Sequence, residues 1–114
     1  MKNPEILIEM YKIYGKPTVD WMGFKVTKNN HITYHHIKEE RNGGTETVEN
    51  GALLTVKAHQ LLHKLELTNE VEYQEYQYWF RVINDMKQKP SDEIMHVMYT
   101  KKKKLLEQTR TKQK

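Results

Sequence analysis

With no cysteine among its 114 residues, this chain can brace itself neither with disulfides nor with a thiolate zinc site, and folds that depend on either are closed to it. What remains is a hydrophobic core. Hydrophobic residues at 37% of a chain this short supply a modest one, so a bound metal or a partner would matter to its stability. Reactive-thiol chemistry is excluded with the cysteines, and their absence fits a reducing compartment. The length suits one domain spanning 1–114. Met1 to Tyr14 is amphipathic and carries Glu5 and Glu9, unlike the basic start and unbroken apolar run of a signal peptide. No stretch approaches the ~20 apolar residues of a membrane span. These features read as a soluble, cytoplasmic protein with no membrane partner.

The pattern along the chain predicts an α+β fold. Residues 4–14 read as a helix that Asn3 can cap and Pro4 can open, with Gly15 and Pro17 as its stop. Residues 20–27 and 31–37 read as a β-hairpin: Phe24 and Val26 alternate with Lys25 and Thr27, and Asn29-Asn30 tolerates left-handed backbone at the turn. A polar loop, 38–50, centres on Asn42-Gly43-Gly44, where the glycines serve loop geometry. Ala52-Leu53-Leu54 is a short buried segment, and Thr55 is a plausible cap for a helix over 56–67. Two more helices follow, 69–87 and 91–108, separated at Pro90-Ser91, with Ser91 or Asp92 as the second cap. Val71, Tyr78, Val82 and Met86 fall near one face of the first, and Ile94, Val97 or Met98, and Leu105 mark the second. From Lys101 onward the chain becomes polar enough to fray.

Four of the six histidines stand in two clusters. His35-His36 ends a predicted strand. His59 and His63, four apart on a predicted helix, share a face, which is a standard way to grip a transition metal. One strand histidine can supply a third ligand and leave a coordination position open; the other can then act as a base. His-x-x-x-His alone arises by chance, and so does His-His. What distinguishes the set is its order: His35-His36, a Gly-containing loop, Asn50, a short apolar segment, then His59 nine positions after Asn50, and His63.

That order resembles the HNH endonuclease family, the ββα-metal fold. The family motif runs Asp or His followed by His on the first strand, Asn in the loop and His on the helix, and nuclease colicins share an all-histidine version with a further His one turn on. The similar segment, Trp21 to Glu66, is about 40% of the chain. Asn50-Gly51-Ala52-Leu53-Leu54 followed by Ala58-His59-Gln60-Leu61-Leu62-His63 looks like small phage and mobile-element members. The Cys pairs that brace many members are absent, so flanking helices would have to replace them. The resemblance implies an HNH core over about 20–67 made of a β-hairpin and a metal-binding helix, with an N-terminal helix, a helical extension over about 69–108 and a basic tail over about 101–114. It implies His35, His59 and His63 as metal ligands, His36 as general base and Asn50 as the residue that ties the loop to the strand and orients the base. The implied activity is metal-dependent phosphodiester hydrolysis in DNA, with RNA as an alternative substrate, in a host cytoplasm if a phage encodes the chain. Three imidazoles suit Zn, Ni, Co or Mn better than Mg, although many family members use Mg. In an ideal strand His35 and His36 point to opposite faces, so the strand end must bend or the phosphate must lie across its edge.

Charge is unevenly spread. Residues 1–85 hold 10 Lys/Arg against 12 Asp/Glu, a net of −2, and residues 86–114 hold 9 against 3, a net of +6. A basic C-terminal third points to a polyanion partner or to a solvated tail. Lys101, Lys102, Lys103 and Lys104 can track a phosphate backbone; Lys38, Arg41, Lys57 and Lys64, near the motif, can contact phosphates or remain solvated. His31 and His96 have no place in the pattern. Trp21 and Phe24 read as core. Tyr73, Tyr76, Tyr78, Trp79 and Phe80 read as core or as a partner interface more than as a base-stacking surface. Two other readings stand beside the nuclease: a binding or inhibitory module, such as a phage counter-defence protein acting through protein contacts, and a structural zinc protein held by three histidines. A protein partner, or a homodimer through the C-terminal helices, is open.

Overall fold

The computed structural model describes residues 4–112, with side chains described over 5–108. Among the described residues, four α-helices and two strands follow in order: α1 (Pro4–Tyr14), β1 (Ile32–His36), β2 (Gly51–Thr55), α2 (Val56–Thr68), α3 (Glu70–Met86) and α4 (Asp92–Lys112), with short 3-10 turns at Glu40–Asn42 and Val48–Asn50 between the strands. The expected cap of α1, Asn3, lies outside the described residues. The class is α+β: four helices around one two-stranded antiparallel hairpin. Among the described residues no helix is long and apolar enough to cross a membrane.

The hairpin is not the expected one. β1 pairs with β2, Ile32 opposite Thr55 and His36 opposite Gly51, while 20–27 forms no strand. That segment is knotted around Asp20. The Asp20 carboxylate is wholly buried and accepts hydrogen bonds from Met22 N (2.9 Å), Phe24 N (2.8 Å), Thr55 N (2.8 Å) and Thr55 Oγ1 (2.7 Å). Burial pushes this carboxyl above its ordinary range, against the pull of the four donors. Gly23, at φ +91, completes the turn, and Trp21, Met22 and Phe24 all go into the core. The Phe24/Val26 alternation survives only as the isolated bridges Val19–Lys25 and Thr27–Asn30. Asn29 and Asn30 do not take left-handed backbone; among the described non-glycine residues only Lys87 does.

β2 reads apolar throughout because it is covered on both faces: all five of its residues are buried. The Tyr34 side of the hairpin meets Met10 of α1, and a Cβ on Gly51 would strike both side chains. α2 and α3 pack on the opposite side. Thr55 caps α2, its hydroxyl accepting from Ala58 N at 3.2 Å. Asn69 caps α3 and Ser91 caps α4 in the same way.

α3 buries Tyr73, Tyr76 and Phe80, which read as core or interface, and not the face marked by Val71, Tyr78, Val82 and Met86. Tyr73, Tyr76, Gln77, Phe80, Ile83 and Asn84 face the core, whereas Val71, Tyr78 and Met86 are exposed. Two apolar stripes run along opposite sides of this helix, and the larger aromatic one wins the interior. α4 also departs from expectation, because residues 101–112 are helical rather than frayed. Leu105 is buried. The Lys101 ammonium bonds Glu72 and Glu75 of α3, and that of Lys102 bonds the Gly23 carbonyl and lies over the Phe24 ring.

Candidate functional site

The two histidine clusters meet. His35, at the end of β1, is 6% exposed and its ring lies edge-on to that of His59, centroids 5.2 Å apart. The His59 ring stacks on that of His63, one turn along α2, at 5.0 Å. His35, His36, His59 and His63 line one cleft of about 310 Å³ together with Glu39, Arg41, Glu66 and Tyr73.

Hydrogen bonds assign the tautomers of two of these rings. Gln77 donates through Nε2 to Ile37 O (2.6 Å) and to the Tyr73 hydroxyl (3.2 Å), so its Oε1 is the atom that meets His35 Nε2 at 2.8 Å. His35 therefore carries its proton on Nε2 and its lone pair on Nδ1. The Thr33 hydroxyl donates to Leu54 O (2.8 Å) and so accepts from His59 Nδ1 at 2.9 Å, leaving the His59 lone pair on Nε2. Burial drives the His35 pKa down to about 3, the Gln77 hydrogen bond opposing it, so this imidazole is neutral at physiological pH. His63 is exposed and stands 3.7 Å from Glu66.

His36 follows the strand alternation onto the Tyr34 side, where the two rings meet edge to face at 4.9 Å. Its Nε2 is buried without a hydrogen bond, and Glu46 Oε1 stands 4.0 Å away. Asn50 closes the loop between the strands. Its Oδ1 accepts from Lys38 N (2.8 Å), and its Nδ2 donates to Lys38 O (3.0 Å) and Thr45 O (2.9 Å). Ile37 N donates to the Asn50 carbonyl at 2.8 Å. The side chain thus ties Lys38, at the start of the loop, to Thr45 and to Asn50 at its end. Gly44 passes so close that a Cβ there would lie 1.8 Å from the Lys38 carbonyl oxygen, which is why the loop carries glycine at this position.

The charged residues divide. Arg41 bonds Glu39 and, through the same guanidinium nitrogen, Glu66, so it borders the cleft already paired with carboxylates. The Tyr73 hydroxyl donates to Glu39 and holds that carboxyl below its ordinary range. Lys101 and Lys102 are committed to contacts within the fold, whereas Lys38, Lys57, Lys64, Lys103 and Lys104 are exposed. His31 and His96 are exposed and lie outside the cleft.

Thr33, Glu46, Glu66 and Gln77 were not singled out from sequence. Gln77 alone left a legible sign: a polar residue inside a stripe otherwise made of Tyr73, Tyr76 and Phe80. Among the described residues, no three His, Cys, Asp or Glu side chains are grouped as a metal centre would group them. Compared with protein-family models, with curated proteins and with solved structures, the chain matches none.

Proposed function

We propose that this chain is a metal-dependent endonuclease built on a ββα-metal (HNH) core, with β1, β2 and α2 as that core. The observation that carries the reading is the meeting of His35, His59 and His63 in one cleft, with the non-ligating nitrogens of the first two already anchored by Gln77 and Thr33. Metal-binding histidines characteristically donate their other N–H in this way, which fixes ring and tautomer. The ring spacings, 5.2 and 5.0 Å, are close to those of imidazoles radiating from one ion at the usual ~2.0 Å bond length. His63 lies parallel to His59, their planes 12° apart. Its side chain, 66% exposed, has room to turn.

The donor set fits a borderline divalent ion such as Zn, Ni or Mn, held by His35, His59 and His63. When bound, the ion would supply Lewis-acid stabilisation of charge on the phosphate and leaving oxygen. The remaining chemistry belongs to the chain. His36 takes a proton from the attacking water, and Glu46 is the carboxylate placed to offset the charge the imidazole then gains. Asn50 holds the loop that fixes the end of β1. Because Lys101 and Lys102 are occupied, phosphate contacts fall to the exposed Lys38, Lys57, Lys64, Lys103 and Lys104, with Arg41 available only by exchange of its carboxylate partners.

Plasmid nicking with Mn²⁺, Ni²⁺, Zn²⁺ or Mg²⁺, with and without chelator, tests the reading. The wild-type chain is expected to nick with at least one of these ions and to stop when chelator is added. His59→Ala should lose both metal binding and cleavage. Absence of DNA and RNA cleavage under all four metals would sink the enzyme. Gln77→Leu, which removes the anchor of His35, is expected to weaken Ni²⁺ binding by about 10–100-fold in calorimetric titration; unchanged affinity would show that the anchor does not serve a ligand.

A further inference from the structure

The outer face of α3 presents apolar side chains to solvent at helical spacing. Val71, Tyr78 and Met86 are 72%, 63% and 42% exposed, Val82 is half-buried between them, and all four lie opposite the core-facing stripe of Tyr73, Tyr76, Phe80 and Ile83. Leu67, in the last turn of α2, is 87% exposed as well. An exposed apolar row of this length on a helix is a contact surface more often than an accident of composition.

Val71 lies seven residues before Tyr78, and Met86 lies seven after Trp79, so a two-fold axis between positions 78 and 79 sets Val71 of one antiparallel helix opposite Met86 of the other and Tyr78 opposite the half-buried Trp79. Charge favours the same arrangement. The start of α3 is acidic, with Glu70, Glu72 and Glu75, and its end and the following turn carry Arg81, Lys87 and Lys89, with Asp85 as the one acid. Glu72 and Glu75 are already met by Lys101, and Asp85 by Arg81. Glu70 and the exposed Lys87 and Lys89 are left at opposite ends, where antiparallel pairing brings acid to base. A parallel pairing sets like charges side by side.

We infer that the outer face of α3 is an isologous homodimer interface, two copies packing antiparallel with Val71 of one against Met86 of the other and Tyr78 beside the two-fold axis. This does not depend on the nuclease reading.

The full chain in sedimentation equilibrium, without nucleic acid and over roughly 1 to 200 µM, should shift from its 13.7 kDa monomer toward twice that mass as concentration rises. Tyr78→Glu should hold it at the monomer mass with an unchanged circular dichroism spectrum, because the replaced ring is exposed. Register is tested separately. The chain has no cysteine of its own, so Tyr78→Cys should cross-link to itself under mild oxidation, while Ile8→Cys, 54% exposed on α1, should not. Glu70→Lys should weaken association about tenfold, and Lys87→Glu in the same chain should restore it. A monomer at every concentration overturns the inference and leaves the face to a different protein. Equal cross-linking at positions 8 and 78 overturns it as well, as does a Tyr78→Glu variant that still dimerises.

Discussion

Replacing His36 with alanine is expected to lower plasmid nicking by about 10²–10⁴-fold, the usual contribution of a positioned proton acceptor, while Ni²⁺ or Zn²⁺ binding stays at the wild-type level. The two results separate because the residues separate in space. His35 lies with His59 and Gln77 on the α2–α3 side of the hairpin, whereas His36 lies with Tyr34 and Glu46 on the other. Both sides open on the same cleft because β1 ends there, so a phosphate lying across the strand end can be reached from both. His36 has a buried Nε2 with no hydrogen bond, an arrangement that costs stability. Its ring contact with Tyr34 is also lost in the alanine variant, so thermal unfolding must be measured alongside. A fall in activity with unchanged metal affinity and a small change in Tm supports the assignment. Activity equal to wild type would reject His36 as the base. Glu46→Gln should give a smaller loss of the same kind, since it removes only the charge that offsets the protonated imidazole.

How much of this could be read from the residues alone depended on whether the signal was local. The helices were legible because their punctuation is local: Gly15 and Pro17 stop α1, Thr55 caps α2, and Pro90-Ser91 parts α3 from α4. The meeting of His35 with His59 and His63 was expected from the resemblance of the whole set to the HNH motif, and the cleft does bring these side chains together. The strand partner was missed because β2 lacks the period-two alternation that marks a half-buried strand: with α1 on one side of the hairpin and α2 and α3 on the other, every residue from Gly51 to Thr55 is apolar or satisfied inside. Conversely, 20–27 alternates like a strand, but Asp20 binds its backbone donors into a turn. The choice between the two stripes of α3 is not local either, because each has the right period and only the packing of the hairpin decides. Thr33 and Gln77 reach their histidines across 26 and 42 residues, distances over which sequence carries no pattern.

Asp20→Ala is expected to destabilise the fold by about 3–5 kcal/mol, a large fraction of the ~5–15 kcal/mol of a typical domain, because it strips partners from donors that cannot reach water. Two of the four are the main-chain N–H groups of Met22 and Phe24, and a third is that of Thr55. The fourth, the Thr55 hydroxyl, accepts from Ala58 N while donating to Asp20, so the capping of α2 and the turn at 20–24 share one carboxylate. Loss at this point loosens the start of the helix that carries His59 and His63. Asp20→Asn separates shape from chemistry. It keeps the volume but sets an NH₂ group against donors on one side of the site, and about 2–3 kcal/mol should be lost. Urea unfolding followed by tryptophan fluorescence reads both variants, Trp21 being buried next to the site. Asp85→Ala, at an exposed ion pair with Arg81, should change stability by no more than about 0.5 kcal/mol. If Asp20→Ala unfolds at the same urea concentration as Asp85→Ala, the carboxylate is not what joins the 20–24 turn to the hairpin, and the route by which this segment holds α2 in place must run through Trp21 and Phe24 packing instead.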